Sequence, residues 1–144
     1  MLNRAFYIFS FLFLFFILAP ISYSQQYPNI EKINNFDTEI TVKKDGTIDV
    51  LEKIEYDFGQ EYRHGIIREI NLFKKNQDGK KYLLTFTEAN ATNSDGKPYK
   101  FTTTEDRSKD VLIIKIGDPD RTITGINQYY ISYKVSGAMT YFLD

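Results

Sequence analysis

The sequence predicts an all-β protein: an antiparallel β-sandwich of about seven strands, immunoglobulin-like in the loose sense, preceded by a signal peptide helix. Three observations carry that prediction. Several segments alternate apolar and polar side chains with a period of two, the mark of a strand with one buried face. Turn chemistry recurs between them, as in Lys43-Lys44-Asp45-Gly46 and Gly117-Asp118-Pro119-Asp120. Beyond residue 24 no stretch has convincing helical spacing.

Met1–Ser24 reads as a leader. Arg4 supplies a positive start, Ala5–Ala19 is an apolar run interrupted only by Ser10, and Pro20 ends it. Ser22-Tyr23-Ser24 places small residues at the two positions a signal peptidase reads. The competing reading is an uncleaved anchor. A spanning helix needs about 20 apolar residues, and Ala5–Ala19 offers 15; the shortfall favours cleavage after Ser24.

Without those 24 residues the 144-residue chain keeps 120, residues 25–144, which suit one β-sandwich domain with a real core. Losing Arg4 leaves 17 of the 18 basic side chains against 19 acidic ones, a net charge of −2. That balance favours neither nucleic acid nor an acidic membrane surface as a partner. Cysteine is absent, so an exported domain of this composition holds together by packing alone.

Gln25–Asn35 is a polar lead-in. Phe36–Val42 alternates, with Phe36, Thr38, Ile40 and Val42 on one side. Asp45-Gly46 suits the positive φ of a tight hairpin. In the long strand Thr47–Phe58, Ile48, Val50, Ile54, Tyr56 and Phe58 share a face opposite Asp49, Lys53, Glu55 and Asp57. Leu51 and Glu52 fall out of step. Gly59–Arg63 is a loop and His64–Ile70 is extended. Asn71–Lys80 is polar and turns at Asp78-Gly79; Tyr82–Thr87 is a strand. Asn93–Lys100 is a loop or hairpin end, Phe101–Thr104 is extended, and Asp106–Lys109 turns.

Val111–Val135 has the strongest pattern. Leu112, Ile114 and Ile116 share one face of Val111–Ile116, and Tyr129, Ile131, Tyr133 and Val135 share one face of Gln128–Val135. These two strands and their link are the expected heart of the sandwich. The expected core is Ile40, Val42, Ile48, Val50, Ile54, Tyr56, Leu84, Phe86, Leu112, Ile114, Ile116, Tyr129, Ile131, Tyr133 and Val135.

Three stretches, DGTIDVLEKIEYDFG (Asp45–Gly59), HGIIREI (His64–Ile70) and IKIGDPDRTITGINQYYISYKVSGAMTYF (Ile114–Phe142), occur in an order and spacing of their own. Together they resemble the exported N-terminal domain of the predicted membrane proteins catalogued as domain of unknown function 2207. The resemblance spans roughly Asn29 to Phe142 and implies an extracytoplasmic domain whose full-length relatives are membrane-embedded. It leads one to expect an acidic, Trp-containing segment after Tyr141-Phe142 and membrane helices later. The sequence stops at Leu143-Asp144 and has no Trp. The expectation is either a fragment of a longer membrane protein or a short secreted version. A missing final strand would leave an unpaired sheet edge.

Glu52 falls on the apolar side of its strand, where a carboxylate is costly unless paired. Two readings stand open. Arg68, in the apolar segment Gly65–Ile70, offers a guanidinium fork that takes a carboxylate bidentately. Alternatively a β-bulge at Leu51–Glu52 returns Glu52 to solvent. An ion pair of this kind is expected to be structural. The resemblance places both residues in recurring motifs without assigning them a role.

The remaining residues speak against most catalytic sets. A Ser-His-Asp arrangement would need His64, the only histidine, and no Gly-x-Ser-x-Gly elbow is present. No Gly-rich loop opens a helix to cradle phosphate. Asp118 with Asp120, or Asp106 with Asp110, are candidate calcium donors, but turns use Asp for local hydrogen bonds far more often. Tyr130, Tyr62 and Tyr99 are candidates for a sugar- or protein-binding surface. No catalytic, cofactor or metal residue is therefore expected. The expected function is a non-catalytic extracytoplasmic interaction module of a membrane-associated protein. Its partner would be another protein or a cell-envelope component. The alternatives are a secreted hydrolase using paired carboxylates and a signal-anchored structural envelope protein.

Overall fold

The computed structural model describes residues 30–140; the expected leader Met1–Ser24 and the residues from Tyr141 onward lie outside the described residues. Nine strands and no helix occur among the described residues. They are β1 (Lys32–Val42), β2 (Ile48–Asp57), β3 (Gly65–Asn71), β4 (Phe73–Lys75), β5 (Lys81–Leu83), β6 (Thr85–Thr92), β7 (Phe101–Asp106), β8 (Val111–Gly117) and β9 (Ile126–Ser136). One sheet has the order β1-β2-β9-β6 and a second β3-β8-β7; β4 and β5 form a hairpin. Every pairing is antiparallel. The all-β antiparallel class is the one expected.

The two larger sheets hold seven strands, and the hairpin adds two to the expected count. The expected strand Tyr82–Thr87 is broken at Leu84, whose N–H donates to the Leu72 carbonyl at 2.7 Å. Residues before the break pair with β4 and residues after it join the four-stranded sheet. The expected polar turn Asn71–Lys80 therefore hides two apolar anchors: Leu72 is fully buried, and Phe73 packs against the core.

Alternation puts β8 and β9 at the centre. β9 buries Tyr129, Ile131, Tyr133 and Val135, and β8 buries Leu112, Ile114 and Ile116. They lie in different sheets, so the link between them passes from one sheet to the other. Their buried faces join Val50 and Ile54 of β2 in one hydrophobic cluster, to which Phe58 and Ala91 also belong.

Two residues of the expected core are not in it. Ile40 is 60% exposed and Val42 57%. Both lie on β1, the outermost strand of the four-stranded sheet, and β1 is exposed at every position. Their register opposite Val50 and Ile48 puts them on the core-side face. The three-stranded sheet does not extend far enough to cover them. Alternation sets which face these side chains take, but burial also needs a second layer.

Gly65 and Gly117 are register partners where β3 meets β8. Both have φ near +140°. A Cβ on Gly65 would lie 1.9 Å from the Ile116 carbonyl oxygen, and one on Gly117 would lie 1.8 Å from the His64 carbonyl oxygen. Only glycine allows the two backbones to approach this closely.

Candidate functional site

Glu52 and Arg68 are brought together across the two sheets. The β1–β2 register runs without interruption from Asn35↔Glu55 to Val42↔Ile48, and β2–β9 is continuous throughout. There is no bulge at Leu51–Glu52, so Glu52 faces inward and is 2% exposed. Arg68 Nε donates to Glu52 Oε2 at 2.8 Å and Nη2 donates to Oε1 at 2.9 Å. The Tyr133 hydroxyl donates to Glu52 Oε1 at 2.8 Å. Burial, followed by that bond to Glu52, raises the Tyr133 pKa well above the ordinary value. Tyr133 was legible as a core residue but not as the third member of this cluster.

The guanidinium of Arg68 sits 5.5 Å above the ring of Phe36 on β1. Both line an open groove of about 730 Å³ between the β1–β2 hairpin and β3, together with Ile33, Ile54, Ile66 and Ile67. Ile33 is 55% exposed and Phe36 44%. With Ile40 and Val42 they form an apolar row along β1. Asp37 and Glu39 alternate with that row and face the other way, opposite Lys53 and Leu51. β1 pairs only with β2, so its other edge is free of strand pairing among the described residues.

At the far end of the domain, His64 Nδ1 donates to the carbonyls of Arg121, at 2.9 Å, and Asp118, at 3.2 Å. It fastens the link between β8 and β9. Asp118 is engaged locally, by Lys100 Nζ at 2.7 Å and by the Asp120 N–H at 3.1 Å. The Lys100 contact, then the Asp120 N–H, lowers the Asp118 pKa below the usual carboxylate value. Asp106 accepts from the Ser108 hydroxyl and from the Ser108 and Lys109 N–H groups, and Asp110 meets Lys81. The two aspartate pairs considered for calcium are thus bound into turns and ion pairs. Among the described residues no group of three or more His, Asp or Glu is placed to hold a metal.

The three candidate tyrosines do not form one surface. Tyr62 is 73% exposed in a loop. Tyr99 stacks on Tyr129 at 5.0 Å between ring centres and donates to the Gln128 carbonyl at 3.1 Å. Tyr130 is half-buried on the outward face of β9. The Tyr129 hydroxyl is buried without a hydrogen-bond partner. Burial, with smaller contributions from Tyr99 and Tyr56, pushes its pKa far above the ordinary value.

A family model described as predicted membrane protein (DUF2207) N-terminal domain matches residues 32–144. No curated protein and no solved structure matches the chain. The matched residues take in all nine strands, from the first residue of β1 to the end of β9 and beyond. The chain therefore belongs to the DUF2207 family of predicted membrane proteins and carries their N-terminal domain.

Proposed function

We propose that this domain is a non-catalytic interaction module on the extracytoplasmic side of a membrane, and that it takes an extended segment of a partner protein along β1. The observation that carries the reading is β1 itself. Among the described residues it has an edge without strand pairing and an exposed core-side face bearing Ile33, Phe36, Ile40 and Val42. An added strand would pair with that edge and lay alternate apolar side chains beside this row. The opposite face sets the rest of the partner's chemistry. Glu39 is already met by Lys53 of β2, so Asp37 above all favours a basic side chain at the intervening positions.

The same two acids argue against a second copy as the occupant. Antiparallel pairing of β1 with itself centred on Asp37, Thr38 or Glu39 would bring acidic side chains opposite each other across the two-fold axis, at Asp37–Asp37, Asp37–Glu39 or Glu39–Glu39. The non-catalytic part of the reading is supported by Glu52. The most buried carboxylate among the described residues has both oxygens engaged, by Arg68 and Tyr133.

Selection of extended peptides from a displayed library, against the protein and then against its Ile40→Asp variant, tests the reading. Enriched sequences should alternate apolar and basic residues and should lose binding to Ile40→Asp. Enrichment that survives Ile40→Asp, or sequences with no such alternation, would overturn it. So would a concentration-dependent dimer that Ile40→Asp abolishes.

A further inference from the structure

We infer that the end of the domain bearing the β4–β5 hairpin seats on an anionic lipid bilayer. This rests on the family's membrane association and not on the groove at β1.

The first observation is a polarity of charge that the overall balance conceals. Strand directions sort the links between strands into two ends. Ile48↔Val135, Thr85↔Ser136, Asn71↔Val111 and Asp106↔Val111 bring residues 43–46, 73–83 and 106–110 to one end. Residues 58–64, 93–100 and 117–125 gather at the other. The links of the first end carry eight Lys or Arg against four Asp. Those of the second carry four of each sign. The links of that first end thus carry a surplus of four positive charges in a chain of net charge −1, reduced to two once Asp49 and Glu105, strand acids that meet Lys43 and Arg107, are included.

The second observation is the hairpin's composition. Phe73-Lys74-Lys75 and Lys80-Lys81-Tyr82-Leu83 flank a tight turn in which Gly79 has a φ of +78°. Leu83 is 46% exposed and Tyr82 and nearby Met139 39% each. Lys74 and Lys80 lie over the ring of Tyr82. Lysines around an exposed tyrosine and leucine are what an interface of headgroups and upper acyl chain accommodates. Lys81 is engaged by Asp110, which leaves Lys75 and Lys80 without an acidic partner among the described residues.

The third observation places this end relative to the membrane. Lys74 Nζ donates to the carbonyls of Ala138, at 3.0 Å, and Met139, at 2.9 Å, and to the Thr140 hydroxyl at 2.9 Å. The segment after β9 is therefore held against the hairpin. The matched family describes this as the N-terminal domain of a predicted membrane protein, so the rest of such a protein continues from the positive end. Anionic headgroups supply the complementary charge, at about fivefold in affinity for each basic side chain that reaches the surface.

The absence of cysteine makes the test specific. The full chain is prepared as Leu83→Cys and, for the opposite end, as Tyr62→Cys, each carrying one environment-sensitive fluorophore. Each is mixed with vesicles of phosphatidylcholine alone or with phosphatidylglycerol added. The label at position 83 should shift to the blue only with phosphatidylglycerol, the shift should vanish at high salt, and the label at 62 should not respond. Adding Lys75→Glu and Lys80→Glu should weaken binding by more than about tenfold. Equal shifts with both vesicle types, a response at 62 as large as at 83, or indifference to the two charge reversals would each overturn the inference. An Ile40→Asp chain should respond like its parent, so failure here and failure of the β1 reading are separable.

Discussion

Gly65 and Gly117 face each other across the β3–β8 pairing so closely that a methyl group on either would collide with the neighbouring backbone, at 1.9 Å and 1.8 Å. This contact stands at the point where the loop carrying His64 meets the link out of β8. Gly65→Ala or Gly117→Ala should each cost on the order of 3 kcal/mol, from left-handed strain plus displaced backbone. Gly79→Ala is the control. Its φ is +78° but its surroundings are open, and about 1 kcal/mol is expected. Urea denaturation of the three variants measures the difference. Equal losses would mean that the close approach contributes nothing beyond φ.

The Glu52–Arg68 pair should behave as a charge that must not be left alone. Arg68→Ala strands a carboxylate that is 2% exposed, and about 3–5 kcal/mol of stability should be lost. Arg68→Met combined with Glu52→Leu removes both charges but leaves the buried Tyr133 hydroxyl without its acceptor, so it should recover only part of that loss, and adding Tyr133→Phe should recover more. If the triple variant were as unstable as Arg68→Ala, the cost would have to come from packing.

Two buried tyrosines should respond in opposite ways to loss of the hydroxyl. Tyr133→Phe removes a bond to Glu52 and should cost about 1–2 kcal/mol. Tyr129→Phe removes a buried hydroxyl that has no partner and should be neutral or stabilise by up to about 1 kcal/mol. Thermal melts of both variants decide the matter.

The same tyrosines predict alkaline unfolding. Burial raises the folded-state pKa of Tyr129 and Tyr133 well above the unfolded value near 10. In the window above that value the unfolded chain gives up protons that the folded one keeps. The contribution is therefore fully present below pH ~10 and is lost as pH rises, at about 1.4 kcal/mol per pH unit for each group. Stability measured from neutral to strongly alkaline pH should fall with that sign, and Tyr129→Phe should flatten the slope. A rise in stability across the window would contradict the burial assigned to both rings.

Truncation on the two sheets should separate core from surface. Ile114→Ala, at a fully buried site of β8, should cost about 2–5 kcal/mol. Ile40→Ala, at 60% exposure, should cost less than about 1 kcal/mol. Comparable losses would place β1 under a cover that the second sheet does not supply.

Strands were legible in the sequence because one-sided burial writes itself as alternation. Tyr129, Ile131, Tyr133 and Val135 alternate without a break, and all four are buried. Glu52 was legible for the same reason, as an acid out of step with its neighbours. Alternation does not say how far the opposing layer extends, so Ile40 and Val42 read as core although they are exposed. Nor does it name the partner of a strand. Val111–Ile116 and Gln128–Val135 read as a central pair, yet they belong to separate sheets. The hairpin β4–β5 was masked by its lysines, which made Asn71–Lys80 read as a polar turn while Leu72 and Phe73 anchored it. Tyr133 as partner of Glu52 depends on two strands 81 residues apart in sequence meeting in one register, which no local pattern encodes.

The position of β9 has a consequence for how the chain reaches its fold. It is last in sequence among the described strands, yet it lies between β2 and β6. A polypeptide emerging from the ribosome with its N-terminus first can zip the β1–β2 hairpin early. It must then wait for residues 126–136 before β2 and β6 gain their shared neighbour. Acquisition of structure should accordingly be late, slow and all-or-none. Until synthesis passes β9, the nascent chain would expose the apolar side chains of β2 and depend on whatever shields them.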